Sequence, residues 1–202
     1  GCMKRIPNEL RFPKLRMQAT FEPKTIDADA RTVEIRWYTG ATVQRFSFED
    51  GPYLLTMSMD PKAVRMGRLN SGSAPFKAGH SSSNDLSAVL GVIDKAWLDK
   101  DGGRALVRFS SRPEVEPYFT DVRDGILRNV SMEAAIHKAD EITKKGDTEP
   151  HLLATDWEPT AVALVAVGAD PAAQALSDSE TFPCQITFSA SASAEAPKRA
   201  RA

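Results

Sequence analysis

Stretches in which apolar residues recur at every second position constrain this chain more than any other feature. Residues 31–39 read RTVEIRWYT, with Val33, Ile35 and Trp37 on one side and Glu34 and Arg36 on the other. Residues 126–137 read ILRNVSMEAAIH, with Val130, Met132, Ala134 and Ile136 on one face. Asn129, Ser131, Glu133 and Ala135 share the opposite face. A period of two is that of a strand buried on one side. Further strands are expected at Leu15–Phe21, 53–59, 87–98, 104–109, 151–155 and 160–167. Gly40 allows a tight turn, so 42–48 is expected to run back as the hairpin partner of 31–39. Gly91 marks a bulge or a close backbone approach, and Asp101-Gly102-Gly103 a turn.

One helix stands out, over 112–124. Ser111 is its candidate N-cap, Pro113 suits the first turn, and Val115, Tyr118, Phe119 and Val122 form the apolar stripe. Gly125 suits the C′ position, whereas Pro117 sits awkwardly deep. A second, short helix is expected at 171–177. Residues 66–86 are dense in Gly, Ser, Pro and Asn and read as a long loop, with His80 near its end. The expected organisation is an N-terminal extension at 1–29, a domain at 30–178 and a flexible tail or linker at 179–202.

The composition removes several function classes. A formal net charge of -1 over 202 residues gives no general attraction for nucleic acid or acidic lipid. The basic end KRARA is too short a cluster to change that. No apolar run reaches about 18 residues, so no membrane span is expected. Cys2 and Cys184 lie near the two ends, without a CxxC pair or a secretory segment, which implies a reducing compartment. His80, His137 and His151 have no Cys or Asp at ligand spacing, so no metal or other cofactor is expected. Neither a phosphate-binding glycine loop nor a GxSxG elbow is present. The residues alone point no further than a hydrolase in a β-rich domain.

Three blocks carry a resemblance over roughly residues 30–175. The first is Gly79-His80 followed by Leu90-Gly91-Val92. The second is Gly125-Ile126-Leu127-Arg128-Asn129-Val130-Ser131. The third runs from Trp157 through AVALV to Ala169-Asp170-Pro171. In this order they resemble the prohead maturation proteases of tailed phages, above all the branch of Mu-like prophages. The resemblance implies a small β-barrel with flanking helices, similar to the herpesvirus assembly protein fold. It also implies a serine endopeptidase that cuts scaffold protein, and itself, within the assembling prohead in the host cytoplasm. Scaffold protein, major capsid protein and other copies of the chain are the implied partners.

By the same resemblance Ser131 is the nucleophile and His80 its base, within hydrogen-bond reach of each other. Three positions depart from the pattern. Gly79 stands where relatives often have asparagine, Glu133 where many have glycine, and Ala161 where many have an acid. Glu158 is then the first candidate for the third catalytic role, with Asp156 and His151 as substitutes. Glu133 reads as an extra carboxylate that would disturb the oxyanion region. These departures leave a second reading open: a catalytically weak or inactive module of the protease fold, with a structural role in capsid assembly.

Overall fold

The computed structural model describes residues 9–37, 42–47, 51–80, 84–168 and 181–188. The strands in chain order are β1 (Glu9–Pro13), β2 (Leu15–Asp27), β3 (Thr32–Trp37), β4 (Thr42–Ser47), β5 (Gly51–Met57) and β6 (Pro75–Ala78). They continue with β7 (Val89–Asp99), β8 (Gly102–Phe109), β9 (Asn129–Glu141), β10 (His151–Val165) and β11 (Thr181–Thr187). One helix, α1 (Glu116–Arg123), lies between β8 and β9. The chain is thus a mixed, barrel-like β-sheet with one flanking helix among the described residues.

The barrel closes in the order β2-β3-β8-β7-β6-β10-β9 and back to β2. Every contact in this ring is antiparallel except β6 with β10. Its lining is the apolar set read from alternation: Val33, Ile35, Trp37, Val130, Met132, Ala134 and Ile136 are all buried. β9 and β10 are longer than the ring needs, and their far halves leave it. There β10 takes β5 as a parallel neighbour, β5 pairs with β4, β9 takes β11, and β11 pairs with β1. Register shifts around Asp156 and between Pro159 and Ala161 mark the bend in β10. A proline is tolerated at such an irregularity because it interrupts the ladder anyway.

Several expectations are corrected here. β4 does not pair with β3. Its partner is β5, while β3 lies between β2 and β8. The stretch 66–86 contains β6, a short parallel strand whose four residues are too few for a visible period. The two strands expected at 151–155 and 160–167 are one bulged strand. β1 and β2 fall within residues 1–29, and β11 within 179–202. The short helix expected at 171–177 and the tail beyond 188 lie outside the described residues.

The helix begins later than its sequence implies. Val115, not Ser111, is its N-cap, and no side chain caps it. Pro117 then occupies the first turn, where its missing N–H costs nothing. The other end matches expectation. Gly125 has φ +74°, Ile126 N–H donates to Asp121 O and Gly125 N–H to Val122 O, which is a Schellman ending. Phe119 packs on Phe109, and Phe109 edge-on against Phe76, with ring centroids 5.1 and 5.0 Å apart. Arg31 lies over the Phe119 ring and pairs with Glu116, fixing α1 to the barrel wall.

Candidate functional site

The outer face of β9 carries the site. Ser131 and Glu133 are two residues apart and so project on the same side, away from the lining formed by Val130, Met132 and Ala134. Ser131 stands opposite Ala163 of β10, and Glu133 opposite Ala161. On the far side of β10, Lys77 of β6 is registered with Ala163. Between β6 and β9, β10 thus presents only the methyl groups of the two alanines. Lys77 extends across them, and its Nζ lies 3.1 Å from both carboxylate oxygens of Glu133. Two strand spacings, roughly 10 Å, are bridged by the Lys77 stem and the Glu133 side chain reaching toward each other.

Gly79 adopts φ +67° and donates its N–H to Leu164 O at 2.7 Å. This left-handed turn swings the chain off the end of β6 and brings His80 back over β9. Glycine takes that conformation freely, and asparagine more readily than most residues, so the departure before His80 keeps the local geometry accessible. His80 Nδ1 is 2.9 Å from Glu133 Oε1. The carboxylate can only accept, so the ring donates from Nδ1. Lys14, just before β2, brings a second ammonium to 3.6 Å from Glu133 Oε2. Burial works against the charged form of Glu133. The hydrogen bond from His80 and the charges of Lys77 and Lys14 outweigh it and hold the carboxyl down to about 2.

His80 and Ser131 both belong to the neighbourhood of Glu133, but no hydrogen bond joins them. The Ser131 side chain is fully buried, and its hydroxyl has no hydrogen-bond partner among the described residues. Alternation correctly places Ser131 off the barrel lining, yet it does not look out to solvent. Glu158 is elsewhere: it stands opposite Ala135, with Arg68 at 3.6 Å and His137 at 3.8 Å. Asp156 is held by Arg65 through two bonds of 2.7 Å. His151 shares a 2.8 Å hydrogen bond with Thr56. The acid that meets His80 is Glu133. The signal for it was present in the sequence, since Glu133 alternates in phase with Ser131. No group of three or more His, Cys, Asp or Glu that could hold a metal occurs among the described residues.

The chain is similar to a capsid protein. Over 110 residues, 54% of its length, it is 39% identical to the major capsid protein of Halomonas phage phiHAP-1. The matched stretch is 18% of that relative's length. No protein-family model and no solved structure matches the chain. This finding corrects the expectation of a prohead protease. The relative is a major capsid protein, and no hydrogen bond joins Ser131 to His80 in the site. The expectations of hydrolase activity and self-cleavage rested on that resemblance and are withdrawn with it.

Proposed function

We propose that the chain is a structural module of phage capsid assembly, acting beside the major capsid protein in the host cytoplasm. The observation that carries this reading is the 39% identity over 110 residues to a major capsid protein. The site supports it on physical grounds. Its carboxylate is tied to Lys77 and His80 and bridges β6, the turn after it and β9, as a clasp would. Partners on this reading are major capsid protein, scaffold protein and further copies of the chain within the prohead. The barrel with one flanking helix is compatible with the herpesvirus assembly protein likeness, which remains part of this proposal.

The test is co-expression with the phage's own major capsid and scaffold proteins, followed by separation of assembled shells on a gradient. The chain is expected to sediment with the shells. A serine-directed fluorophosphonate is expected to leave the wild type unlabelled. Shells that form without the chain, which stays in the soluble fractions, would overturn the reading.

A further inference from the structure

Among the described residues the sheet has two open edges. Its strand order ends in β1 on one side and β4 on the other, and each pairs with a single neighbour. An open edge offers N–H and C=O groups to any extended chain, and folds usually blunt it with charges, prolines or bulges. β1 is blunted: its five residues include Glu9 and Arg11 and end in Pro13. β4 is not. Its sequence, TVQRFS, holds no proline, and its pairing runs without a register shift from Thr42 opposite Thr56 to Ser47 opposite Gly51. Its one charged residue, Arg45, is turned inward: it is 8% exposed, and its guanidinium donates to Arg16 O.

The neighbours of β5 decide which backbone groups of β4 face out. Leu54 N–H donates to Pro150 O and Ser58 N–H to Ala154 O, so every second residue here turns its backbone toward β10. Tyr53 and Leu55, in between, turn theirs toward β4, where Arg45 and Val43 stand opposite. Thr42, Gln44 and Phe46 therefore direct their N–H and C=O groups away from β5. The 2.6 Å contact between the Thr42 and Thr56 hydroxyls agrees, since side chains come closest at pairs without backbone bonds. No other described strand or turn receives these groups.

We infer that two copies of this chain join edge to edge through β4, antiparallel about a two-fold axis at Gln44. Such an axis keeps each residue on its own face of the joined sheet, so it must pass through a residue and not between two. At Gln44 it sets Gln44 against Gln44 and Thr42 against Phe46, all residues whose backbone faces out. At Val43 it would leave Phe46 without a partner, and at Arg45 it would set two guanidinium groups against each other. With the axis at Gln44, each Arg45 stands opposite Val43 of the other copy. The rest of the strand is uncharged, so a second copy brings neither a like charge nor an unpaired one to this edge. Gln44 is exposed and donates one amide hydrogen to Glu149 Oε1 at 2.5 Å. Its second amide hydrogen and its carbonyl remain to pair with those of the other Gln44. The inference rests on the assembly reading, since it names the surface through which copies meet.

The experiment uses the isolated 202-residue chain. Sedimentation velocity is run from about 1 µM to about 1 mM, the range for a contact of a few backbone hydrogen bonds. A monomer–dimer equilibrium is expected. Amide exchange, followed by NMR at both ends of that range, should slow at Thr42, Gln44 and Phe46 in the dimer and change less at Val43 and Arg45. Gln44→Pro removes an N–H that β5 does not use, a change that edge strands tolerate, and should weaken the dimer at least about tenfold. Gln44→Lys places two ammonium groups at the axis and should weaken it more at low salt than at high. Circular dichroism checks that each variant is folded, and if the proline variant is not, the lysine variant and the wild-type exchange pattern decide. A monomer at every concentration, a dimer that both folded variants keep, or a dimer without added protection at the three amides would overturn the inference. So would protection that appears only when major capsid protein is added, which would make a foreign strand the occupant. Capsid protein is absent from the main measurement, so a monomer there leaves the co-sedimentation result standing, and the converse holds too.

Discussion

Glu133 joins three separate segments through one side chain: β6 by Lys77, the turn after it by His80, and the approach to β2 by Lys14. Its carboxyl, held down to about 2 from an ordinary 4.5, ties these contacts to acid stability. The unfolded chain binds that proton more tightly than the folded one. The contribution is therefore complete above about pH 4.5 and is lost as pH falls through about 2. It amounts to about 3 kcal/mol. Denaturation at a series of pH values should show this slope, and Glu133→Gln should flatten it. At neutral pH the same variant strips Lys77 of its carboxylate and should cost about 3–5 kcal/mol, part of which Lys77→Met added on top recovers. A steep slope that persists in Glu133→Gln would place the acid sensitivity elsewhere. Gly103 offers a steric counterpart. A Cβ there would lie 2.0 Å from Cε2 of the buried Trp37. Gly103→Ala should lower stability by about 1–3 kcal/mol in urea unfolding. The sequence showed which face of β9 Ser131 and Glu133 share. It could not show that Lys77 reaches over β10, because that depends on a parallel strand with no pattern of its own.

Helix α1 and the strands around it show where local signals suffice. Gly125 was legible as the helix end because a left-handed C′ residue is a local requirement. The start was not. Ser111 and Pro113 form a plausible cap, but the helix waits for Pro117, and residues 113–115 form a turn. Likewise Gly40 suggested that β3 and β4 form a hairpin. The alternation of β3 says that a strand is present, not which strand lies beside it, and its neighbours β2 and β8 are fixed by the closed ring. Burial divides the apolar stripe of α1: Val115, Phe119 and Val122 are buried, whereas Tyr118 is 38% exposed. Phe119→Ala should therefore cost about 3–5 kcal/mol, since it removes a ring in contact with both Phe109 and Arg31. Tyr118→Ala should change stability by no more than about 0.5 kcal/mol. Chemical denaturation of the two variants side by side checks this, and equal losses would mean that the helix is seated differently.

At the scale of the molecule, β9 and β10 serve two parts of one sheet at once. Near Ser131 they complete the barrel with β2 and β6, and beyond the bulge they carry β11 on one side and β5 on the other. Trp157 sits at the change-over, buried, with its backbone bonded to Ala63 and Arg65 and its indole N–H donating to Ser58 O. The segment at Val64 thus covers the part of β10 that neither β5 nor β6 reaches. The buried side chains of the ring and of the outer strands also form one continuous cluster, from Val33 and Val107 to Leu55, Ala139 and Ile186. Neither the ring nor the outer strands can separate from the other without disturbing β9 and β10, which run through both, so the two parts should unfold together. Tryptophan fluorescence reports on Trp37 and Trp97 within the ring and Trp157 at the junction, whereas far-ultraviolet circular dichroism counts every strand. Urea transitions followed by the two signals should coincide in midpoint and slope. An earlier transition by dichroism would mean that β4, β5 and the β1–β11 pair melt before the ring, and that the shared strands do not couple them.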